Sequence, residues 1–262
     1  MSQESGKLVL ITGASEGLGY EFARVFAENK YNLILTARNT DKLERVKNEI
    51  ENRFSVEVKI IPKDISNIGG AIWLCDYIEN NCCGIDALVN NAGAGLYGRH
   101  LETDFEEELK IINLNAVSLT YITKRMLKNM IKKNSGYILN IASTAALKPG
   151  PMMSVYYATK AYVLNYSESL AAELHGTGIS VTAFVPGPVR TGFFEKATAG
   201  KNIDNKLKKY MTARDAAIYG FNAMIKRKLI SVPGLTNKIL NFIIKFIPRK
   251  ILGRILYISK AK

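Results

Sequence analysis

The chain has 262 residues, of which 47% are hydrophobic and 23% charged, and its formal net charge is +13. This length and balance are those of a globular protein with a large buried core, in one large α/β domain or two small ones. The positive excess lies mostly at the C-terminus, because no Asp or Glu follows Asp215 whereas ten Lys or Arg occur from Lys226 to Lys262. The basic residues form no reading motif with stacking aromatics, so we expect no nucleic-acid partner.

The N-terminus and the cysteines indicate the compartment. The first seven residues are polar and lead directly into a strand, without the charged-then-apolar build of a signal peptide. Cys75, Cys82 and Cys83 form neither a C-x-x-C motif nor a disulfide framework, which fits a reducing cytosol. The two histidines have no partner at ligand spacing, so we predict no metal site. We expect a cytoplasmic protein.

The first predicted strand, residues 8–11, is a continuous apolar run typical of a parallel sheet that is buried on both faces. A glycine-rich turn and a helix with regularly spaced apolar residues follow. Such a turn lets backbone N–H groups and the positive end of the helix dipole approach a pyrophosphate. We therefore predict dinucleotide contacts from Gly13, Ser15, Gly17, Leu18 and Gly19.

The residues at the end of the second predicted strand, residues 32–37, are the ones that distinguish NADP(H) from NAD(H) in such folds. An acidic side chain there would accept a hydrogen bond from a ribose 2′-hydroxyl and would repel a 2′-phosphate. Ala37 and Arg38 instead leave room for the phosphate and supply a charge-assisted partner. These residues favour NADP(H) over NAD(H). The alternative is a solvated arginine that begins a loop, because Glu16 in the turn adds no second positive charge.

Helices and strands continue to alternate at roughly thirty-residue intervals, which describes a Rossmann-like, doubly wound parallel sheet of about seven strands with helices on both faces. Asp64 and Ile65 follow the third strand, where an adenine ring would rest. The predicted elements of this part are a helix at 41–52, a strand at 56–61, a helix at 68–80 and a strand at 87–89.

The stretch from Ser143 to Lys160 carries the predicted chemistry. A strand at residues 137–142 delivers Ser143 at its C-terminal end, where open α/β sheets bind their ligands. Tyr156 and Lys160 are four residues apart and share one helix face, whereas Tyr157 turns elsewhere. A nearby positive charge lowers a tyrosine pKa, so Tyr156 is expected to exchange protons near neutral pH. In isolation, the same spacing also describes an amphipathic pair on an exposed helix.

Apolar groups flank this stretch on both sides. Met152 and Met153 precede the tyrosine helix, and Phe193 and Phe194 open residues 192–210, for which we expect a mobile lid. Each pair either contacts substrate or packs permanently. The domain, residues 1–233, ends with a sixth strand at 179–185, a helix at 212–226 and a short strand near 229–232.

These motifs resemble those of the short-chain dehydrogenase/reductase family. The likeness runs from about residue 8 to residue 191 and comprises the glycine turn, Asn90-Asn91-Ala92-Gly93, Asn115, Ser143, Tyr156-x-x-x-Lys160 and Pro186-Gly187. The resemblance implies an NADP(H)-dependent oxidoreductase that interconverts a carbonyl and a secondary alcohol, in a homodimer or a homotetramer. It also implies cofactor contacts from Asn91, Ala92, Gly93, Tyr156, Lys160, Pro186, Gly187 and Thr191.

The resemblance assigns four catalytic residues. Tyr156 exchanges a proton with the substrate oxygen, and Ser143 hydrogen-bonds the same oxygen. Lys160 lowers the pKa of Tyr156 and holds the nicotinamide ribose. Asn115 kinks its helix and holds a water through which the lysine exchanges protons; Asn113 is the alternative, a plain polar helix residue.

For the substrate, the sequence predicts only a chemical class. The aromatic residues and methionines near the site suggest a hydrophobic carbonyl compound, such as a steroid, a long-chain ketone or an acyl derivative. The rival interpretation is a catalytically silent NADP(H)-binding sensor or membrane-surface adaptor. An intact set of proton-transfer residues argues against that rival, since a pure binding protein has no need of them.

Residues 234–262 lie outside the family likeness and form a basic, amphipathic C-terminal extension. Apolar and cationic residues alternate in blocks around Pro248, which predicts two short helices and argues against a membrane-spanning one. Their apolar faces either cover the substrate cleft or a subunit interface, or they lie on a bilayer surface with the cations near anionic lipid.

Overall fold

The computed structural model describes residues 6–82, 84–198, 210–244 and 246–260. The strands are β1 Leu8–Thr12, β2 Asn32–Ala37, β3 Val58–Pro62, β4 Ala87–Asn90, β5 Gly136–Ile141, β6 Ile179–Phe184, β7 Val189–Arg190, β8 Met211–Thr212 and β9 Ile230–Ser231. The α-helices are α1 Gly17–Glu28, α2 Thr40–Arg53, α3 Ile68–Asn81, α4 Phe105–Ile112, α5 Leu119–Lys133, α6 Ser154–Glu173, α7 Phe193–Ala197, α8 Ala213–Ile225, α9 Leu235–Ile244 and α10 Arg249–Lys260.

Seven strands form one parallel sheet in the order β3-β2-β1-β4-β5-β6-β9. The predicted Rossmann-like fold is therefore confirmed, as is the helical C-terminal extension. The strand order reverses between β1 and β4, and the chains leaving these two strands diverge there. Open α/β sheets bind ligands at such a switch point, beyond the carboxyl ends of the strands.

Two apolar cores cover the two faces of the sheet. On one face α1, α2 and α8 bury a cluster that includes Phe22, Phe26 and Leu43. On the other face α3, α5 and α6 bury Leu74 and Met126 among others. Both faces being covered explains why the central strands are continuously apolar rather than alternating.

The π-helical segment Asn113–Ser118 lies within a continuous helical stretch, residues 105–133. It joins α4 to α5 and contains Asn115 at the bend. A π-turn widens the helix by one residue, which a single-sequence pattern does not reveal. Asn115 thus lies in an irregular segment of the helix, and its predicted role in the proton relay stays a prediction.

The other differences from the predicted elements are small. The third strand begins at Val58, two residues later than predicted, and includes Pro62 at the sheet edge. The short pair β7 and β8 was not predicted, because two-residue strands have no periodicity to detect. Cys83 and residues 199–209 of the predicted lid lie outside the described residues.

Candidate active site

The glycine turn meets the end of β4 at the switch point. A Cβ on Gly13 would come within 2.9 Å of the Ala92 Cα atom, so only glycine allows this approach. The Asn91 amide donates hydrogen bonds to the carbonyls of Thr12, at 2.9 Å, and Gly13, at 3.1 Å. The Thr12 hydroxyl in turn accepts from the backbone N–H groups of Asn91 and Ala92. These contacts fix the two loops that border the cleft.

The start of α1 differs from those of four other α-helices, although α5 and α6 also begin without a side-chain cap. Helices α2, α3, α4 and α8 each begin with a side chain that accepts a hydrogen bond from the first turn. The residue before α1 is Glu16, and its side chain makes no such bond. The N–H groups at this helix start are therefore free to bind an anionic ligand, and the helix dipole favours one.

A cleft of about 750 Å³ extends from this helix start to Phe193. Most of the predicted cofactor contacts border it: Gly13, Ser15, Gly17, Arg38, Asp64, Ile65, Asn91, Ala92, Gly93 and Thr191. Its size and its glycine-lined wall suit a dinucleotide. The residues present therefore fit the cofactor that the sequence predicted.

Arg38 lies at the boundary between this cleft and an adjoining cavity of about 520 Å³. Within the described residues, no carboxylate pairs with Arg38, whereas Arg125 binds both Asp76 and Glu79. Lys63 borders both spaces as well, with its ammonium 4.3 Å from the centre of the Trp73 ring. Two cations thus face the region where a 2′-phosphate would add charge.

Ser143, Tyr156 and Lys160 meet behind Phe193, beyond the opposite end of the cleft, and none of the three lines it. Ser143 follows β5; its hydroxyl accepts from the Ala145 N–H at 3.1 Å and lies close enough to the Tyr156 phenol to lower the pKa of that phenol. Lys160 lies one turn further along α6 and is only 5% exposed. Its ammonium donates to the Ile141 carbonyl at 2.7 Å and lies 5.8 Å from the centre of the Tyr156 ring. The three side chains that the sequence separates by up to 17 positions are therefore neighbours.

The predicted lowering of the Tyr156 pKa by Lys160 is wrong. Burial raises the pKa of Tyr156 to about 12, against a smaller lowering by the nearby Ser143 hydroxyl. Burial also lowers the pKa of Lys160 to about 8. Desolvation dominates because the Lys160 ammonium is directed at a backbone carbonyl rather than at the phenol oxygen. The four-residue spacing of Tyr156 and Lys160 places them on one helix face, but it does not reveal how deeply their side chains are buried.

Asn115 is buried at the bend and joins three segments. Its amide nitrogen donates to the Ala94 carbonyl at 2.9 Å and to the Thr159 hydroxyl at 3.0 Å. Its amide oxygen accepts from the Ala94 N–H at 3.0 Å. The side chain therefore fixes the loop after β4 against the residue that precedes Lys160. Asn113 only begins the π-segment and is partly exposed.

Phe193 packs on Tyr156, with ring centres 5.3 Å apart. A Cβ on Gly95 would lie within 3.2 Å of both rings, so Gly95 lets them approach. The Met153 methyl group is equally near Gly95, which places Met153 in the same apolar cluster. The phenylalanine thus covers the reactive end of the cleft, and the Phe194 side chain lies outside the part of the chain that the structure describes.

Several predicted cofactor residues do not border the cleft. Leu18 packs on the core under α1, and Gly19 instead allows α1 to approach the Gly13 carbonyl. The Pro186 carbonyl accepts from the Thr144 N–H at 2.9 Å, and Gly187 adjoins the Asn237 side chain of α9. These residues shape the walls through their backbones, a role that the motif alone does not distinguish from contact.

The sequence reasoning missed five charged residues at the cleft, and two of them, Glu107 and Lys110 of α4, pair with each other at 2.6 Å. Lys42 donates to Glu16 at 2.5 Å, and Lys196 of α7 pairs with the same carboxylate, so Glu16 links α7 to the glycine turn. Lys63 follows β3, beside the Arg38 that follows β2. Lys63 could have been found, because the carboxyl ends of neighbouring parallel strands meet at one sheet edge. No sequence signal indicated Lys42 or Lys196.

The fold and the cleft define the class, a nucleotide-dependent oxidoreductase. The comparison with known families agrees, since the family described as short chain dehydrogenase matches residues 7–202. The chain belongs to the short-chain dehydrogenase/reductase family, and it is an enzyme that uses a nicotinamide dinucleotide.

Individual relatives extend the comparison. The chain is 37% identical over 185 residues to the NADP-dependent 3-hydroxy acid dehydrogenase YdfG of Salmonella typhi, covering 70% of this chain and 72% of that one. It is 34% identical over 192 residues to the very-long-chain 3-oxoacyl-CoA reductase of Rattus norvegicus, covering 71% of this chain and 60% of that one. A short-chain dehydrogenase from Sphingobium yanoikuyae, solved with NADPH, superimposes with a TM-score of 0.81 at 27% identity, covering 93% and 97% of the two chains.

Proposed function

We propose that the enzyme uses NADPH to reduce the carbonyl of a hydrophobic substrate to a secondary alcohol. The observation that carries this proposal is the position of the Tyr156 phenol, beside the Ser143 hydroxyl and the buried Lys160. A phenol and a hydroxyl side by side suit one carbonyl oxygen, which accepts two hydrogen bonds. Residues 1–233 would form the catalytic domain and residues 234–262 an extension of it.

The preference for NADP(H) over NAD(H) is supported by Arg38 and Lys63. Both cations border the adenosine side of the cleft and neither pairs with a carboxylate of the described residues. A 2′-phosphate would supply the missing anionic partner, whereas a ribose hydroxyl would not. Glu16 is already engaged with Lys42 and Lys196, so its charge is directed away from that partner.

The protein would supply position and a proton, while the bound cofactor would supply a hydride to the carbonyl carbon. Ser143 and Tyr156 would hydrogen-bond the carbonyl oxygen and stabilise the charge that develops there. The phenol Oη–H bond then breaks as the proton moves to that oxygen. Lys160 would hold the nicotinamide ribose and stabilise the phenolate that remains.

The two pKa values indicate the protonation states from which reduction would start. With a pKa of about 12, Tyr156 is protonated at neutral pH and ready to donate, as reduction requires. Oxidation would require the phenolate, which burial disfavours. Lys160, with a pKa of about 8, is mostly charged at pH 7 and can stabilise the phenolate when it forms. Asn115 would position the route by which a proton returns from solvent.

The substrate class is narrowed by the cleft and by the relatives. Leu96, Ile111, Leu114 and Phe193 border the cleft near its reactive end. The relatives named above act on a 3-hydroxy acid and on a 3-oxoacyl thioester, which share an oxygen on the third carbon of an acyl chain. We therefore propose a 3-oxoacyl derivative ahead of a steroid or a simple ketone.

A catalytically silent sensor is not favoured. The relatives named above are a dehydrogenase and a reductase, and this chain retains the proton-transfer residues. Assembly as a homodimer or homotetramer remains a prediction, which light scattering coupled to size-exclusion chromatography would check.

The test compares two neighbouring tyrosines by following NADPH absorbance with a 3-oxoacyl thioester. Tyr156→Phe removes the proton donor, so turnover should fall by about 10²–10⁴-fold while NADPH binding, measured by fluorescence, stays within about twofold. Tyr157→Phe is the matched control, because Tyr157 lies on the same helix without the Ser143 contact. Near-normal turnover of Tyr156→Phe would contradict the proposed role.

The substrate proposal has its own test. The wild-type enzyme is assayed with NADPH against 3-oxoacyl thioesters, steroid ketones and simple aromatic ketones. We expect the largest kcat/KM for the thioesters. A steroid preferred by tenfold or more, on the order of 1.4 kcal/mol, would replace the acyl assignment but leave the role of Tyr156 intact.

A further inference from the structure

The two C-terminal helices present large apolar side chains to solvent. Phe242 of α9 is 63% exposed, and Phe246 in the following turn is 71% exposed. Their rings contact each other at 5.2 Å between centres. Contiguous apolar patches on a protein surface mark interaction sites, so two adjacent exposed phenylalanines indicate such a site.

Helix α10 has two apolar faces rather than one. Its inner face is attached to the protein, because Leu252 is only 6% exposed and Gly253 adjoins Pro149. Its outer face carries Ile251, Ile255 and Ile258, at spacings of four and three residues, and all three are exposed. Attachment to the fold therefore does not account for the outer isoleucines.

The charge around this surface is of one sign. Lys250 and Arg254 are exposed and follow one side of the isoleucine stripe. No acidic residue occurs after Asp215, while ten Lys or Arg occur from Lys226 to Lys262. A second copy of the chain would bring the same cations to a symmetric interface, where like charges repel. An anionic surface would be complementary.

The lengths of the two helices determine whether they would span a lipid bilayer or lie parallel to its surface. Helices α9 and α10 have 10 and 12 residues, or about 15 Å and 18 Å, and Pro248 separates them. A bilayer core is about 30 Å thick. Among the described helices, none combines the length and hydropathy that a bilayer span requires. Both helices suit a position parallel to a membrane surface.

We propose that the outer face of α9 and α10 docks on an anionic lipid bilayer, with the phenylalanines and isoleucines between headgroups and the cations near phosphates. This lipid-docking face comprises Ile239, Phe242, Ile243, Phe246, Ile251, Ile255 and Ile258. Helix α9 adjoins Gly187 and the turn after Ser143. Docking would therefore place the lipid surface near the reactive end of the cleft, where an apolar substrate enters.

The experiment is co-sedimentation of the full chain with vesicles of phosphatidylcholine, with and without phosphatidylserine. We expect binding to the anionic vesicles that weakens as salt is raised, because surface charges are screened. The double variant Phe242→Glu/Ile255→Glu should bind about tenfold more weakly or not at all. Leu101→Glu is the matched control, because Leu101 is 97% exposed on another part of the surface and should bind as wild type does.

Four outcomes would overturn the proposal. The first three are equal binding of the wild type to both kinds of vesicle, unchanged vesicle binding by the double variant, and an equal loss of vesicle binding in the Leu101→Glu control. The fourth is that the protein binds no vesicle but self-associates, and that the double variant abolishes the self-association. The last outcome would identify the face as an interface between copies. Thermal unfolding of each variant checks its fold. The experiment measures vesicle binding and not turnover, so its result does not depend on the proposed reaction.

Discussion

The two ends of the cleft recognise ligands by opposite physical means. At the nucleotide end, Arg38 is exposed and no side chain caps the start of α1, so charge and hydrogen bonding to solvent-accessible groups dominate. At the reactive end, Lys160 is buried and Phe193 covers Tyr156, so desolvation sets the pKa values. Selection of the cofactor should therefore depend on charge, whereas proton transfer should depend on burial.

The largest expected effect is at Lys160. Lys160→Met keeps the volume but removes the charge that stabilises the Tyr156 phenolate, so kcat for carbonyl reduction should fall by about 10³-fold. Lys148→Met is the control, since Lys148 lies in the loop between Ser143 and Tyr156 and does not line the cleft. Steady-state NADPH oxidation measures both. A loss confined to KM would show that Lys160 only binds the cofactor.

Arg38 tests the nucleotide end. Arg38→Ala removes a charge-assisted partner of the 2′-phosphate, worth about 1.5–3 kcal/mol, so KM for NADPH should rise by about 10–100-fold. KM for NADH should change by less than about threefold, because NADH has no such phosphate. The control is Arg45→Ala, an exposed arginine of α2 that does not border the cleft. Equal losses with both cofactors would refute the assignment of Arg38.

Phe193 tests whether burial controls the proton donor. Phe193→Ala exposes Tyr156, so its pKa should fall, because desolvation is the main cause that raises it. The rise of alcohol oxidation with pH should then move to lower pH by about 1 unit. Phe105→Ala, at an exposed phenylalanine that does not line the cleft, should leave the profile unchanged. An unchanged profile in Phe193→Ala would assign the raised pKa to other neighbours.

The smallest expected effect is on stability. The folded-state pKa of Lys160, about 8, lies below its ordinary value of 10.5. Between these values the unfolded chain binds a proton that the folded chain does not, so this group makes stability rise with pH. Lys160→Met should therefore raise Tm by about 2–4 °C at pH 7, and the gain should shrink between pH 8 and 10.5. A pH-independent difference would exclude a burial cost of the charge.

The sequence by itself determined the parts of this enzyme that depend on local patterns. Apolar runs of four to six residues predicted the central strands, because a sheet covered on both faces needs such runs. The glycine spacing predicted the turn at the start of α1, and the four-residue spacing placed Tyr156 and Lys160 on one helix face. Each of these features is decided within one or two turns of backbone.

Only the tertiary structure decided which charges meet and which are buried. Lys42 and Lys196 pair with Glu16 from distant positions in the sequence. Burial raises the pKa of Tyr156, which the helix spacing predicted to be lowered, and it lowers the pKa of Lys160. The physical reason is that desolvation and ion pairing depend on the packing of several elements at once. Spacing along one helix states which groups are near each other, but not how much water remains around them.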